Sequence, residues 1–193
     1  GAATAEAVAK YLGKVTPPQK ERTRAYIFCH GHKDIAKSSQ VYNGAQTCVS
    51  AVMAGGNKDC SYGCVGFYDC MKACDFGAII KDEKTGMPVI VEDKCVSCNA
   101  CVKACPQKLI EIHPVSQKFH VYCKSKDKGP IAKKVCDRAC IGYSICVKNT
   151  KEGGMRMDNN LAIVNYEDYA ITEESIAKCP TKAITDERVN SVT

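Results

Sequence analysis

A run of four closely spaced cysteines constrains the fold of this 193-residue chain more than any other feature. Residues 95–106 read CVSCNACVKACP, so that Cys95, Cys98, Cys101 and Cys105 follow in quick succession and a proline ends the run. In ferredoxins, three thiolates of such a run bind one [4Fe–4S] cluster, and the fourth binds the neighbouring cluster. The run therefore predicts a fold that is built around iron–sulfur clusters.

The composition favours bound metal over disulfides or a large aromatic core. The chain has fifteen cysteines but only four phenylalanines and no tryptophan. A disulfide framework is one alternative, but the cysteine count is odd and the chain is long for such a scaffold. Zinc is a second alternative, although zinc ribbons use separated C-x-x-C pairs rather than overlapping ones. Iron–sulfur clusters fit the pattern better than either.

The net charge and the hydropathy bear on two further classes of protein. The formal charge of +6 counts every cysteine as neutral, whereas a [4Fe–4S] site with four thiolates carries about −2. Three such sites would bring the protein close to neutrality, so the basic pI gives little reason to expect nucleic-acid binding. No sufficiently long apolar run is present, so we expect no membrane-spanning helix within this chain.

The cysteine-rich part of the chain contains an internal repeat. Residues 60–74 (CSYGCVGFYDCMKAC) match residues 136–150 (CDRACIGYSICVKNT) at an offset of 76 positions. Residues 91–110 match residues 165–184 at an offset of 74, which indicates a shorter loop between the halves of the second copy. The sequence thus predicts an α+β fold of two tandem ferredoxin-like modules of the bacterial 2[4Fe–4S] type, with an N-terminal α/β segment.

The repeat and the composition predict four parts of the chain. These are a linker or terminal helix (1–24), an N-terminal segment packing on the first module (25–59), a module with two clusters (60–118) and a degenerate module with one cluster (119–193).

Local patterns predict individual elements within these parts. A helix over 2–12 should end before the breakers Gly13 and Pro17-Pro18. Further elements are expected as a strand at 25–29, a helix at 44–54 that ends at Gly55-Gly56, and hairpin strands at 78–80, 88–91 and 161–164.

The first copy contains enough cysteines for two clusters. By the ferredoxin crossover rule, one cluster takes Cys74, Cys95, Cys98 and Cys101. The other takes Cys64, Cys70 and Cys105, but Phe67 stands where its remaining ligand would be. Cys60, one helical turn upstream of Cys64, is the favoured substitute.

The second copy keeps the counterparts of one ligand set and lacks those of the other. Thr150, Tyr169, Thr172 and Ser175 replace Cys74, Cys95, Cys98 and Cys101. A metal-free relic is one interpretation of this copy. A third [4Fe–4S] cluster fits better, because four cysteines survive in the matching places: Cys136, Cys140, Cys146 and Cys179.

Cys29, Cys48 and Cys123 fall outside these three sets. Small buried apolar roles would account for each of them. Alternatively, they belong to a fourth cluster or metal site that borrows Cys60 or Cys136, with His30 or His32 as conceivable ligands.

Several segments of the chain resemble the B subunit of the Rnf electron-transport complex. They are CSYGCVGFYDCMKACDFGAI, VEDKCVSCNACVKACP, KSKDKGPIAKKVC, NNLAIVNYE and KCPTKAI, and the similarity runs from about residue 24 to residue 184. This resemblance implies a membrane-associated subunit that accepts electrons from reduced ferredoxin. In Rnf, electrons pass toward NAD⁺ while ions cross the membrane, and the flavin and nicotinamide sites lie on other subunits. The implied location is cytoplasmic, at the inner face of the cell membrane.

The chain departs from the family pattern at two places. Residues 2–13 look like the linker that follows the family's small cysteine domain, so we expect this chain to correspond to the part of the family's sequence after that domain and after the N-terminal membrane helix. The second repeat usually carries a full cysteine set, but here five positions differ: Tyr143, Thr150, Tyr169, Thr172 and Ser175. A divergent member of the family or a paralogue serving another redox complex would both fit.

We therefore expect a relay of single electrons through [4Fe–4S] clusters, with no catalytic site in this chain. A stand-alone soluble polyferredoxin is the alternative. His113 and His120 look isolated, and no G-x-G-x-x-G unit is present for nicotinamide binding. The segment KSKDKGPIAKK is either a solvated loop or a docking patch for an acidic ferredoxin, through Lys124, Lys126, Lys128, Lys133 and Lys134.

Overall fold

A computed structural model describes residues 2–15 and 21–186 of the chain. The predicted helix breakers Pro17 and Pro18 lie outside these residues. Within them, the strands form four sheets, each of two antiparallel strands. The mixed content of short helices and antiparallel strands confirms the expected α+β character.

Most helices are shorter than two turns and most strands are shorter than five residues, so loops make up much of this chain. The helices are α1 (Ala2–Tyr11), α2 (Cys48–Met53), α3 (Asp69–Lys72), α4 (Ala100–Ala104), α5 (Gly129–Val135), α6 (Ile145–Lys148) and α7 (Glu173–Ala177). The strands are β1 (Thr23–Ile27), β2 (Ile79–Lys81), β3 (Pro88–Ile90), β4 (Ile110–Pro114), β5 (Phe119–Val121), β6 (Met155–Asp158), β7 (Leu161–Val164) and β8 (Ile184–Asp186).

The backbone follows the two offsets seen in the sequence. Helix α6 begins 76 positions after α3, and β8 begins 74 positions after β4. The residues before α3 and α6, Tyr68 and Ser144, both have left-handed backbones, with φ of 59° and 58°. Lys108 and Lys182 likewise share φ values of 52° and 53°. The two copies thus share left-handed backbone conformations at the same positions, which residues other than glycine rarely adopt.

Each copy also gains an edge strand from the chain that precedes it. Strand β1 pairs antiparallel with β4, and β5 pairs antiparallel with β8. Just beyond these strands, the amide of Phe28 donates to the Leu109 carbonyl at 2.7 Å, and the amide of Tyr122 donates to Ala183 at 2.8 Å. The dipeptides Phe28-Cys29 and Tyr122-Cys123 therefore occupy equivalent places in the two halves of the molecule.

Rings from the β1–β4 and β5–β8 sheets pack together in the interior. The centroid of His120 lies 4.2 Å from that of Tyr26, and His113 stacks on Tyr166 at 3.7 Å. His30 stacks on Tyr122 at 4.0 Å. The prediction that His113 and His120 are isolated is therefore wrong. Each stands on a different strand, and a one-dimensional pattern does not show which strands face each other.

Candidate metal centres

No disulfide joins any of the fifteen cysteines, which together line four separate spaces. Three spaces are lined by four cysteines each, and the fourth is lined by three. We name them site 1 (Cys48, Cys64, Cys70, Cys105), site 2 (Cys74, Cys95, Cys98, Cys101), site 3 (Cys29, Cys60, Cys123, Cys136) and site 4 (Cys140, Cys146, Cys179).

Site 2 brings together the four cysteines that the crossover rule groups. Cys101 lies on α4, and Cys74 lies just after α3. Backbone amides point at two of the thiols: Ala78 donates to Cys74 Sγ and Ala25 to Cys95 Sγ, both at 3.4 Å. Such hydrogen bonds stabilise a thiolate ligand and tune the potential of a cluster bound there.

Site 1 contains Cys48 in the place where the sequence suggested Cys60. Thr47 caps α2 by accepting a hydrogen bond from the Ser50 amide at 3.2 Å, which fixes the start of this helix. The amide of Cys48 donates to Asp69 Oδ2 at 2.7 Å and so ties α2 to α3. Proximity along the chain favoured Cys60, but in the structure α2 folds back over the ligand loop and brings Cys48 beside Cys64, Cys70 and Cys105.

Site 3 differs most from the sequence interpretation, because it takes both Cys60 and Cys136. These two cysteines are repeat equivalents, as are Cys29 and Cys123, so each half of the molecule supplies one pair. Neither His30 nor His32 lines the space: His30 stacks on Tyr122, and His32 lies 3.4 Å from Asp34 Oδ2. Sequence reasoning missed this symmetry, although the aromatic–cysteine pairs at 28–29 and 122–123 signal it.

Site 4 keeps Cys140, Cys146 and Cys179 together, without Cys136. Tyr143 occupies the middle position of the C-x-x-Y-x-x-C loop and also lines this space. The predicted set of four thiols is thus reduced to three, because Cys136 turns toward site 3.

Hydroxyl groups fill the place of the cysteine set that the second copy lacks. Ser175 Oγ lies 2.9 Å from Thr150 Oγ1 and 3.0 Å from Thr172 Oγ1, and it donates to the Asn149 carbonyl at 2.7 Å. Ser175 is fully buried. Tyr169 donates its hydroxyl proton to the Phe119 carbonyl at 3.0 Å. A satisfied polar network of this kind packs the second copy without a cluster.

Burial keeps many of the thiols protonated in the absence of metal. It raises the pKa of Cys64, Cys70 and Cys123 to about 12 and that of Cys101 and Cys146 to about 11. The same cause raises the pKa of Cys60, Cys105 and Cys136. Since metal binds the thiolate, loading these sites releases protons and is favoured by higher pH.

The four sites lie in series. Sites 2 and 1 share the chain around α3 and α4, which links Cys70 to Cys74 and Cys101 to Cys105. Sites 1 and 3 meet where the Cys64 amide donates to Cys29 Sγ at 3.4 Å. Sites 3 and 4 meet where the backbone of Cys140 hydrogen-bonds to the Cys123 thiol.

A lysine stands between sites 1 and 3. Lys58 Nζ donates to the carbonyls of Gly31 and Cys64, both at 2.6 Å, and Lys58 lines site 3. A fixed positive charge beside a thiolate-bound centre stabilises its reduced, more negative form. This charge would therefore favour electron acceptance by clusters held at sites 1 and 3.

The donor sets at sites 1, 2 and 3 fit iron–sulfur clusters. Each has four thiols lining one space, and four thiolates are the ligand set of such clusters. Within residues 2–15 and 21–186, no three or more His, Cys, Asp or Glu side chains are placed to hold a metal ion directly. In the same residues, no helix is long and apolar enough to cross a membrane.

Thiol-lined spaces on repeated cysteine loops, one of which has the overlapping C-x-x-C-x-x-C spacing, define the class of ferredoxin-like iron–sulfur proteins. In agreement, a family profile described as a 4Fe-4S dicluster domain matches residues 58–110. That range contains all of site 2 and three cysteines of site 1, but not Cys48.

Longer similarities reach nearly the whole chain. It is 35% identical over 183 residues to the B subunit of the "Ion-translocating oxidoreductase complex" of Methanosarcina acetivorans, covering 92% of this chain and 68% of that protein. It is 41% identical over 186 residues to the B subunit of the "Proton-translocating ferredoxin:NAD(+) oxidoreductase complex" of Clostridium ljungdahlii, covering 95% of this chain and 65% of that protein.

A third relative is the B subunit of the "Na(+)-translocating ferredoxin:NAD(+) oxidoreductase complex" of Acetobacterium woodii, at 35% identity over 185 residues. The alignment covers 95% of this chain and 55% of that protein. The chain therefore belongs to the family of B subunits of ion-translocating (Rnf-type) ferredoxin:NAD oxidoreductase complexes. It spans between about half and two thirds of the length of these relatives.

Proposed function

We propose that this chain relays single electrons through four iron–sulfur sites that lie in the order 2, 1, 3, 4. The observation that carries the proposal is that every cysteine of the chain lines one of four adjoining spaces. In this proposal the two copies are tandem ferredoxin-like modules. The first (60–118) holds site 2 and three thiols of site 1, whose fourth thiol, Cys48, comes from the preceding segment, and the second (119–193) holds site 4. Site 3 joins the modules.

The protein's part in this function is to hold and tune the clusters. The clusters, when bound, supply one-electron redox chemistry over a range of roughly −700 to +450 mV. Backbone amides donate to the thiols of Cys74, Cys95 and Cys105 at 3.4 Å. Lys58 adds positive charge between sites 1 and 3. None of these groups abstracts a proton or attacks a substrate, so catalysis belongs to other subunits.

We further propose that the chain works as a subunit of a membrane-associated redox complex and lies at the surface of the membrane. The names of its relatives support this, since each is the B subunit of an oxidoreductase complex. Two of these names specify ferredoxin and NAD⁺. Reduced ferredoxin is accordingly the proposed electron donor, and the remaining subunits of the complex carry the electrons onward.

Iron and acid-labile sulfide analysis of the anaerobically prepared protein tests the cluster assignment. We expect about sixteen irons per chain, or about fifteen if site 4 holds a three-iron cluster, with a matching sulfide content. Reduction should give EPR spectra of interacting clusters, because adjoining sites couple magnetically. A colourless protein containing zinc would contradict the proposal, and about twelve irons would limit it to three sites.

The lysine-rich segment 124–134 is the proposed ferredoxin-docking patch. Of its lysines, we assign docking to Lys128 and Lys134. Lys124 is half-buried, pairs with Glu111, and lies 4.6 Å from the centroid of the Phe28 ring, so its role is structural. Lys128 and Lys134 are exposed. Lys124 and Ser125 line site 3, so the patch lies beside that site.

Charge reversal at Lys128 and Lys134 is expected to slow the oxidation of reduced ferredoxin about 10-fold at low salt, because steering by opposite charges is lost. The difference from the unmodified protein should shrink as salt is added. Stopped-flow absorbance at several ionic strengths measures both effects. Lys84→Glu, an exposed lysine in the β2–β3 turn, is the control. An unchanged salt dependence in the Lys128→Glu/Lys134→Glu variant would exclude this patch as the docking surface.

A further inference from the structure

Site 4 has one thiol fewer than the other three sites. Its loop, Cys140-Ile-Gly-Tyr143-Ser-Ile-Cys146, has tyrosine where a ferredoxin loop has its middle cysteine. Every other cysteine of the chain lines another space, so none is left to complete this set. The donor set therefore does not fit a cluster with four thiolates.

Site 1 has the same gap in its loop but fills it from elsewhere. Phe67 stands at the position equivalent to Tyr143, and its ring packs on Tyr42 with centroids 5.3 Å apart. Helix α2 then supplies Cys48 to that space. The thiol that is missing at Phe67 is thus replaced by Cys48, which lies in the segment between Cys29 and Cys60.

The second copy has no room for such a segment. Cys29 and Cys60 are 31 positions apart, whereas their equivalents Cys123 and Cys136 are 13 positions apart. The missing residues are those that carry α2 and Cys48 in the first copy. Site 4 therefore lacks a fourth thiol because the second copy has no segment equivalent to α2 that could supply one.

No other strong ligand replaces the thiol. Among the described residues that line site 4, no carboxylate or imidazole is present; the oxygen-bearing side chains there are Tyr143, Ser144 and Thr181. Thr181 Oγ1 lies 3.8 Å from Cys179 Sγ, next to an existing ligand. Tyr143 is 71% exposed, so this corner of the site is open to solvent.

We propose that Cys140, Cys146 and Cys179 hold an iron–sulfur cluster through three thiolates, and that its fourth iron, at the corner near Tyr143, is exchangeable. This inference rests on the proposed function, because it requires clusters in this chain. It predicts a site that converts between a four-iron and a three-iron cluster, whereas sites 1, 2 and 3 keep all their iron.

Mild oxidation of the anaerobic holoprotein with ferricyanide tests this. A [4Fe–4S]²⁺ cluster that loses Fe²⁺ to solution and one electron to ferricyanide leaves [3Fe–4S]⁺, so charge and atoms balance. We expect each chain to release one iron and to lose one electron, and to show the EPR signal of an oxidised three-iron cluster. When ⁵⁷Fe²⁺ and a reductant are then added, each chain should take up one iron-57. Mössbauer spectra report the label in a single environment.

Three variants locate the exchangeable iron. Tyr143→Cys supplies the missing thiolate, so the iron release and the three-iron EPR signal should disappear. Phe67→Cys, the matched change in site 1, should leave both unchanged because Cys48 already completes that site. Tyr143→Phe should also leave both unchanged, because it removes only the phenol oxygen.

Several results would overturn the inference. These are four clusters that retain all iron on oxidation, equal iron release from Tyr143→Cys, or an altered cluster spectrum in Tyr143→Phe. A protein with about twelve irons and no cluster at site 4 would overturn it too, while leaving a relay through sites 2, 1 and 3 in place. A protein without iron and sulfide would instead refute the proposed function itself.

Discussion

Replacing Cys48 by alanine is expected to remove at least one iron, and up to about four, from each chain. The change turns site 1 into a three-thiolate site, because Cys64, Cys70 and Cys105 then surround the space without the thiol from α2. If Cys60 completed this site instead, the Cys48→Ala variant would keep its full iron content. Iron analysis of the purified variant, with Mössbauer spectra for cluster type, measures the difference.

Two comparisons make this result specific. Val49→Ala alters the next residue of α2, which is half exposed, and should retain all iron. The double variant Cys60→Ala/Cys136→Ala should lose about four irons, because both thiols belong to site 3 and one site fails. Damage to two separate sites in that double variant would show that the sequence-based grouping is the correct one.

Lowering the pH from 7 to 5.5 is expected to destabilise the fold by about 2 to 3 kcal/mol through His30 and His120. Burial lowers the pKa of each side chain from 6.5 to about 3, and for His120 the neighbouring His113 contributes further. Both histidines are therefore neutral in the folded protein, whereas the unfolded chain takes up protons below pH 6.5. Stability is complete above that pH and falls as the pH drops toward 3.

Urea unfolding followed by circular dichroism at several pH values measures this loss. The double variant His30→Phe/His120→Phe should lose most of the pH dependence between pH 7 and 5.5. Phe28→Leu is the matched control, because it disturbs the same rings without a titrating group. That control should lower stability equally at each pH. A double variant with the pH dependence of the unmodified protein would refute this assignment.

The sequence was informative wherever the chemistry is local. The run from Cys95 to Pro106 predicted iron–sulfur ligands, and the match to a 4Fe-4S dicluster domain confirms that class. The family resemblance is confirmed by relatives that align over more than nine tenths of the chain. Local patterns also predicted strands close to β1, β2, β3 and β7, since short strands and hairpins depend on residues that are neighbours in sequence.

The grouping of distant cysteines could not be obtained in the same way. Cys48 reaches site 1 because α2 folds back over α3, which the hydrogen bond from its amide to Asp69 secures. Cys29 and Cys123 reach site 3 because each follows an edge strand that pairs with the end of its own repeat. The ring cluster around His120 arises from the same pairing. These contacts join residues that are tens of positions apart.

Residues 95–106 alone thus determined that the protein binds clusters, since the spacing of thiols within one loop sets what that loop can ligate. Which thiols share a site, and that one site has only three, was decided by the tertiary structure. The physical reason is that a cluster needs ligands converging from several segments, and only the packing of strands and helices brings those segments together. The odd number of cysteines is explained by this grouping, since the fifteen thiols divide into three sets of four and one set of three.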